Sequence, residues 1–261
     1  MLNSRIDASI SDHSLTSIIV RRHHVQHAIN LQKLKDTAVS YGMSIVHCKT
    51  EVVANHGLSL HQIYSLIQGP KKALGDGVLS VIPGAPLMIT KNLNYLPVPL
   101  VNGAIVEFYG FCESTMAGIN SSIIELPQYM LVRLQRNADE VIQISGLPAN
   151  VVPIWPESFK YNSGHDRWAR LRQFPVTLAY AITDFKCQSQ TYKWLRVDLK
   201  RPHVGSASVM SPYVQLSRGQ SLQRLSILRP FDPDDLRASI SEELKAEMNW
   251  EQEMSEKTAK L

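Results

Sequence analysis

Gln173-Phe-Pro-Val-Thr-Leu-Ala-Tyr-Ala-Ile-Thr-Asp-Phe-Lys-Cys-Gln-Ser-Gln-Thr191 is the stretch on which the reading of this chain turns. Its first half, Thr177 to Ile182, is a mostly apolar run with the composition of a buried strand. Its second half, Asp184 to Thr191, is polar and rich in amides and hydroxyls, so the strand empties into a loop or helix start. Trp194 to Asp198 resumes a strand. Beyond it, Ser211 and Pro212 suit an N-cap and a first helical position, and Gly219 suits the stop. Tyr213-Val-Gln-Leu-Ser-Arg218 is therefore expected as a short helix, followed by a final strand at Leu225 to Leu228.

Upstream, Ser17 to Val20 reads as a short buried strand. From Val25 to Tyr41 the apolar residues Val25, Ala28, Leu31, Leu34, Ala38 and Tyr41 recur at helical spacing, with Gly42 placed to end the helix in a left-handed cap. A strand over Met43 to Cys48 would complete a strand-helix-strand unit of a parallel α/β sheet. His56 to Gln68 reads as a second helix, stopped by Gly69-Pro70. From Val78 to Trp155 the pattern changes to short β-type runs: Val78 to Ile82, Pro86 to Thr90, Met130 to Leu134, Val141 to Ile144 and Val151 to Trp155. Val101-Asn-Gly-Ala104 is the strongest hairpin signal, because Asn-Gly readily supplies two positive φ angles.

The expected organisation is a disordered N-terminus over 1–16, an α/β domain over 17–77 and 174–231, a β-rich insertion over 78–173, and an acidic C-terminal helix or tail over 232–261. Residues 1–231 carry 23 Lys+Arg against 14 Asp+Glu, net +9, whereas 232–261 carry 4 against 9, net −5. A basic body suits a polyanionic partner such as nucleic acid. The 44% hydrophobic content supports a buried core. No apolar stretch approaches the roughly 20 residues that span a bilayer, so no membrane partner is expected, and the N-terminus lacks the pattern of a secretory signal. Cys48, Cys112 and Cys187 are far apart with no Cys-x-x-Cys pair, which argues against a disulfide framework or zinc site and for a reducing, intracellular setting.

Three blocks stand in an order that resembles superfamily-one DNA helicases of the PIF and RecD type, including the relatives carried by Helitron transposons. They are Pro83-Gly-Ala-Pro-Leu-Met-Ile-Thr-Lys-Asn-Leu93 with Leu100-Val-Asn-Gly103, then Gln173 to Thr191, then Tyr213 to Arg218. The resemblance covers residues 17 to 231. It implies that the α/β part is the second RecA-like (P-loop NTPase-type) domain of such a helicase and that the β-rich insertion is a small barrel-like module touching a single strand. It also implies an ATP-driven 5′ to 3′ DNA helicase of DNA repair, recombination or telomere maintenance, placed in the nucleus with the mitochondrion as the alternative. The sequence contains no Gly-x-x-x-x-Gly-Lys-Ser/Thr phosphate loop. It reads as the second half of a motor, taking ATP and Mg²⁺ only when completed by an N-terminal RecA-like half.

The resemblance assigns roles residue by residue. Arg218 is the arginine that contacts the γ-phosphate, a role suited to a planar, always-charged fork. Gln190 and Ser217 join it at the nucleotide cleft. Family members read Thr, two residues, Lys, Ser or Cys, Gln, Gly, Gln, Thr at the middle block. Thr183, Lys186, Gln188, Gln190 and Thr191 match, Cys187 is tolerated, and Ser189 replaces the glycine. Thr183, Lys186, Gln188 and Thr191, with Lys91 in the block before the insertion, are the implied DNA contacts. Asn92 lies beside them, Asn102 reads as a turn former, and Arg21 and Arg22 are weaker candidates near the nucleotide.

Other chemistry finds little support. His23 and His27 share a helical face at metal-ligand spacing, but a third ligand is wanting, and no metal site is expected. Asp139-Glu140 lacks the apolar strand that would set it up as a metal-binding acidic pair. There is no Gly-x-Ser-x-Gly elbow and no dinucleotide fingerprint. The alternative to a helicase half is a non-enzymatic, single-stranded nucleic-acid-binding remnant of a transposon helicase.

Overall fold

The computed structural model describes residues 17–68, 78–94, 99–112, 122–135, 141–162, 167–188, 190–201, 211–236 and 242–258. The expected disorder of 1–16 lies outside them. The chain forms two compact units, Arg22–Lys186 and Met1–Arg21 with Cys187–Leu261.

The larger unit opens with α1 (His23–Tyr41), which starts two residues earlier than expected and stops at Gly42, whose φ of 62° lets its N–H reach back to Ala38 and Val39. Next come β2 (Val46–Lys49), β3 (Glu51–His56), α2 (Leu60–Gln68), β4 (Val78–Val81), β5 (Pro86–Ile89), β6 (Ile105–Phe111), β7 (Ile123–Ile124), β8 (Met130–Leu134), β9 (Val151–Ile154), β10 (Glu157–Asn162), β11 (Trp168–Gln173), β12 (Val176–Leu178) and β13 (Ala181–Thr183). β1 (Ser17–Val20) belongs to the smaller unit. Five strands build one antiparallel sheet in the order β12-β5-β6-β8-β9. β10-β11-β3 forms a second antiparallel sheet, and β4-β2-β7 a mixed one in which β2 runs antiparallel to β4 and parallel to β7.

The strand-helix-strand reading needs correction. β2 does not join β1 but pairs antiparallel with β4, Val46 opposite Val81 and Lys49 opposite Val78. β3 occupies Glu51–His56, immediately before the expected second helix, which begins at Leu60. The run 141–144 is not a strand either. Ile142 O accepts the Asn150 N–H and the Ile142 N–H goes to the Asn150 side-chain Oδ1, which closes a loop instead of a ladder. At Val101–Ala104 the turn forms as expected, with Ala104 N–H on Val101 O, but Gly103 (φ 96°) alone takes a positive φ and Asn102 does not.

The core of this unit fills the space around the five-stranded sheet, with Phe174, Leu87, Ile89, Leu93, Met130, Ile154 and Leu178 fully enclosed. Each such side chain contributes about 1.5–3 kcal/mol through removal from water. Cys48 lies in it at 0% exposure, and its thiol is pushed up to about 12, chiefly by burial. Gln173, also buried, donates to Cys48 O and Thr50 Oγ1 and accepts from Phe174 N. Helix α1 is fixed to β12 and β13 by polar groups: Asn30 Nδ2 donates to Leu178 O (2.9 Å) and Ala181 O (3.1 Å), and Asn30 Oδ1 accepts from Ala181 N at 2.7 Å.

In the smaller unit β1, β14 (Leu195–Val197) and β15 (Leu225–Ile227) lie side by side and parallel, Ser17–Ile19 against Leu195–Val197 and these against Leu225–Ile227. Parallel neighbours far apart in sequence are the mark of a crossover-connected α/β sheet. α3 (Ser211–Leu216) and α4 (Glu242–Thr258) complete it, with 3₁₀ turns at Leu222–Arg224 and Pro233–Leu236. No helix among the described residues is long and apolar enough to cross a membrane.

Candidate nucleotide and nucleic-acid interface

In the smaller unit the site starts from a buried polar frame. Asp198 follows β14 and is 2% exposed. Arg229 meets it with a two-pronged pair, Nε on Oδ1 and Nη2 on Oδ2, both at 2.7 Å, and this bonding holds the guanidinium's proton more firmly. The Asp198 N–H is shared by Ile19 O and Gln215 Oε1, and Gln215 in turn donates to Ser211 Oγ. Helix α3 is thereby tied to the end of the parallel sheet, and Ser211, expected as its cap, serves as its first residue.

At the far end of that helix stand Ser217 and Arg218. The Arg218 guanidinium folds back: Nε lies on Val214 O (3.2 Å) and Ser217 Oγ (3.3 Å), Nη2 on Ser217 Oγ (2.9 Å) and Nη1 on Gln190 O (3.4 Å). The backbone closes the same gap, because Tyr192 N–H donates to Arg218 O at 2.9 Å and Tyr192 bridges Gly219 in parallel register. Tyr192 also donates its hydroxyl to Gln190 Oε1. Burial raises that phenol, as does the neighbouring Cys187, while Arg218 opposes them, so Tyr192 stays a donor. Two sequence blocks that are far apart thus meet at Gln190 and Arg218. A guanidinium has five N–H groups. Three are engaged among the described residues, which leaves two to fork onto an anion. Gln188 and Thr191 are exposed.

In the larger unit Thr183 ends β13 at 2% exposure, and its buried Oγ1 has no hydrogen-bond partner among the described residues. Lys186 Nζ donates to Asn102 Oδ1 at 2.7 Å, and Asn102 N–H donates to Asn92 Oδ1 at 2.8 Å. The turn former Asn102 is therefore also the seat of Lys186. Lys91 is held by Glu157, 2.7 Å from Nζ to Oε2. That carboxylate was not foreseen and carries no sequence signal, nor does the seat of Gln190 on Tyr192. Glu157→Gln is expected to tighten oligonucleotide binding about two- to fivefold at low salt, the worth of an exposed ion pair. Fluorescence anisotropy checks it, and unchanged affinity would remove Lys91 from the interface.

Arg21 donates to Leu199 O at 2.8 Å, and Arg22 stands before α1 in extended backbone. His23 Nδ1 lies 3.2 Å from Gln26 Oε1, and among the described residues no group of three or more His, Cys, Asp or Glu is placed to hold a metal. Ser189, Asp139 and Glu140 lie outside those residues.

A parallel α/β unit in which Gln190 and Arg218 meet, carried in one chain with a large β-rich segment, has the architecture of a RecA-like fold. No protein-family model matches the sequence, and no curated protein does. Solved structures do match, Pif1 helicases among them. The Pif1 helicase from Candida albicans superposes with a TM-score of 0.63 at 22% identity over 94% of this chain and 50% of that one. Bacteroides Pif1 bound to ssDNA gives 0.62 at 17% identity over 98% and 49%, and Bacteroides Pif1 in complex with ADP-AlF3 and ssDNA gives 0.61 at 17% over the same shares. The chain has the fold of Pif1 helicases over nearly its whole length, and it spans about half the length of those structures.

Proposed function

We propose that this chain is the second RecA-like half of a Pif1-type, ATP-driven DNA helicase, with 17–77 and 174–231 as that domain and 78–173 as its insertion. The observation that carries the reading is the meeting of Gln190 with Arg218, which leaves two guanidinium N–H groups for a phosphate. Arg218, with Gln190 and Ser217, would face the γ-phosphate of ATP held by a complementary half. ATP supplies the phosphoryl transfer whose developing charge a guanidinium stabilises. Lys91 and Lys186 in the larger unit, and Gln188 and Thr191 in the smaller, would each contact the sugar-phosphate backbone of single-stranded DNA; Thr183, expected among these contacts, is buried at 2% exposure and is left out of them. The Mg²⁺ ligands are assigned, with the phosphate loop, to the complementary half.

Steady-state ATPase assays test this. The chain alone is expected to hydrolyse no ATP above background, with or without single-stranded DNA. Supplied with a Pif1 N-terminal half bearing a phosphate loop, it should reach DNA-stimulated turnover on the order of 1 per second or more. Turnover by the chain alone would overturn the reading. Strand binding that falls with salt, with no turnover in either arm, would identify a non-enzymatic binding module instead.

A further inference from the structure

Tyr192 is tied to the other residues of the site through its backbone and again through its side chain. Its N–H donates to Arg218 O at 2.9 Å, and it bridges Gly219 in parallel register. Its hydroxyl donates to Gln190 Oε1. Two residues is the spacing at which side chains of extended backbone share a side, so the phenol reaches back past Thr191 to the Gln190 amide. Gln190 in turn offers its backbone carbonyl to Arg218 Nη1 at 3.4 Å, which closes a ring of three residues.

A carboxamide ends in an acceptor oxygen and a donor nitrogen of nearly the same shape. A half-turn exchanges the two at little steric cost. A glutamine beside a phosphate therefore helps in one orientation and harms in the other, because the anion accepts from N–H groups and repels a carbonyl oxygen. Here the phenol settles the choice: with Oε1 directed at the Tyr192 hydroxyl, Nε2 is directed away from it. Burial raises the phenol above its ordinary range, so the hydroxyl keeps the proton that it donates.

We propose that Tyr192 is a positioning residue of the nucleotide cleft, whose hydroxyl holds the Gln190 amide with its N–H groups toward the γ-phosphate. Given the reading that Gln190 and Arg218 face ATP, on which this rests, Tyr192 would touch no phosphate itself. Its hydroxyl is engaged by Gln190 and its backbone N–H by Arg218.

In the completed two-half enzyme, Tyr192→Phe keeps the ring, the N–H on Arg218 O and the bridge to Gly219, and removes the hydroxyl alone. Its kcat/KM for ATP is expected to fall about two- to tenfold, the worth of one hydrogen bond, with the melting temperature close to wild type. Gln190→Ala should lower kcat/KM as well. Tyr192→Phe added to it should cost nothing further, because a residue that acts through another loses its effect when the other is removed. Gln190→Glu, which presents oxygen in either orientation, should lose more than Gln190→Ala and be equally indifferent to Tyr192→Phe. In the full chain alone, the side-chain amide signals of Gln190, recognised by their loss in Gln190→Ala, should shift in the NMR spectrum of Tyr192→Phe. Wild-type kcat/KM in Tyr192→Phe, an equal loss in both backgrounds, or unmoved amide signals would overturn this inference and leave the helicase reading standing. A loss that follows a lowered melting temperature would overturn it too, as the mark of a merely structural role. A wild-type two-half enzyme without turnover would overturn both.

Discussion

Arg218→Ala in the completed, two-half enzyme is expected to lower ATP hydrolysis by about a thousandfold or more, the range for arginine fingers, while strand binding and melting stay close to wild type. The expectation follows from where the guanidinium sits. Its bonds to Val214 O, Ser217 Oγ and Gln190 O orient it at the end of α3 without using all its donors. Arg218→Lys should rescue little, because an ammonium is a point charge and cannot reproduce the planar fork. If the side chain served only to finish the helix, its loss would cost under about 1 kcal/mol and leave turnover unchanged. Steady-state rates of the three proteins, with thermal melts as the folding control, separate these outcomes. Near-normal turnover in the alanine variant would mean that the helix-end role is the whole of it.

Asn30→Leu is expected to destabilise the chain by about 2–5 kcal/mol. Asn30 is 3% exposed, and its amide satisfies Leu178 O, Ala181 O and Ala181 N together. A leucine of similar size fills the space but leaves the Ala181 N–H and the Leu178 carbonyl short of these partners, at about 1–3 kcal/mol each. Ala181 O keeps the Gln26 amide as a second donor, which limits the loss. Urea unfolding checks the expectation as a shifted midpoint at constant m-value. Lys35→Ala on the exposed side of the same helix should stay within about 0.5 kcal/mol. A leucine variant as stable as that control would show that the helix is held by its apolar contacts alone.

Those contacts mark the boundary of what the sequence disclosed. Strands at 17–20, 78–81, 86–89, 130–134 and 151–154, and the stops at Gly42 and Gly103, were legible because each depends on a local apolar run or a single turn residue. The buried stripe of α1 was not. Apolar spacing pointed to Ala28 and Tyr41, which are exposed, whereas Gln26 and Asn30 are buried because they meet backbone groups of strands about 150 residues onward. Strands β3, β10 and β11 escaped notice for a related reason. β10 and β11 do alternate, but their outward positions are polar or charged, β3 is exposed along almost all its length, and the partners of all three are set by pairing across distant segments, Arg170 opposite Ala54 for example. At the site, the order of the motifs anticipated that residues 190 and 218 belong together, whereas the seats of Lys91 on Glu157 and of Lys186 on Asn102 depend on packing that no local pattern encodes.

The three cysteines bear on how this molecule can be watched. Cys48, Cys112 and Cys187 are all buried, and burial pushes the Cys48 thiol up to about 12, which keeps it protonated at neutral pH. Maleimide chemistry needs an accessible thiolate, so the native chain offers it a dark background. A cysteine introduced on exposed helix α4, or on the outer face of β11, would take a fluorophore selectively without first stripping the natural thiols from the core.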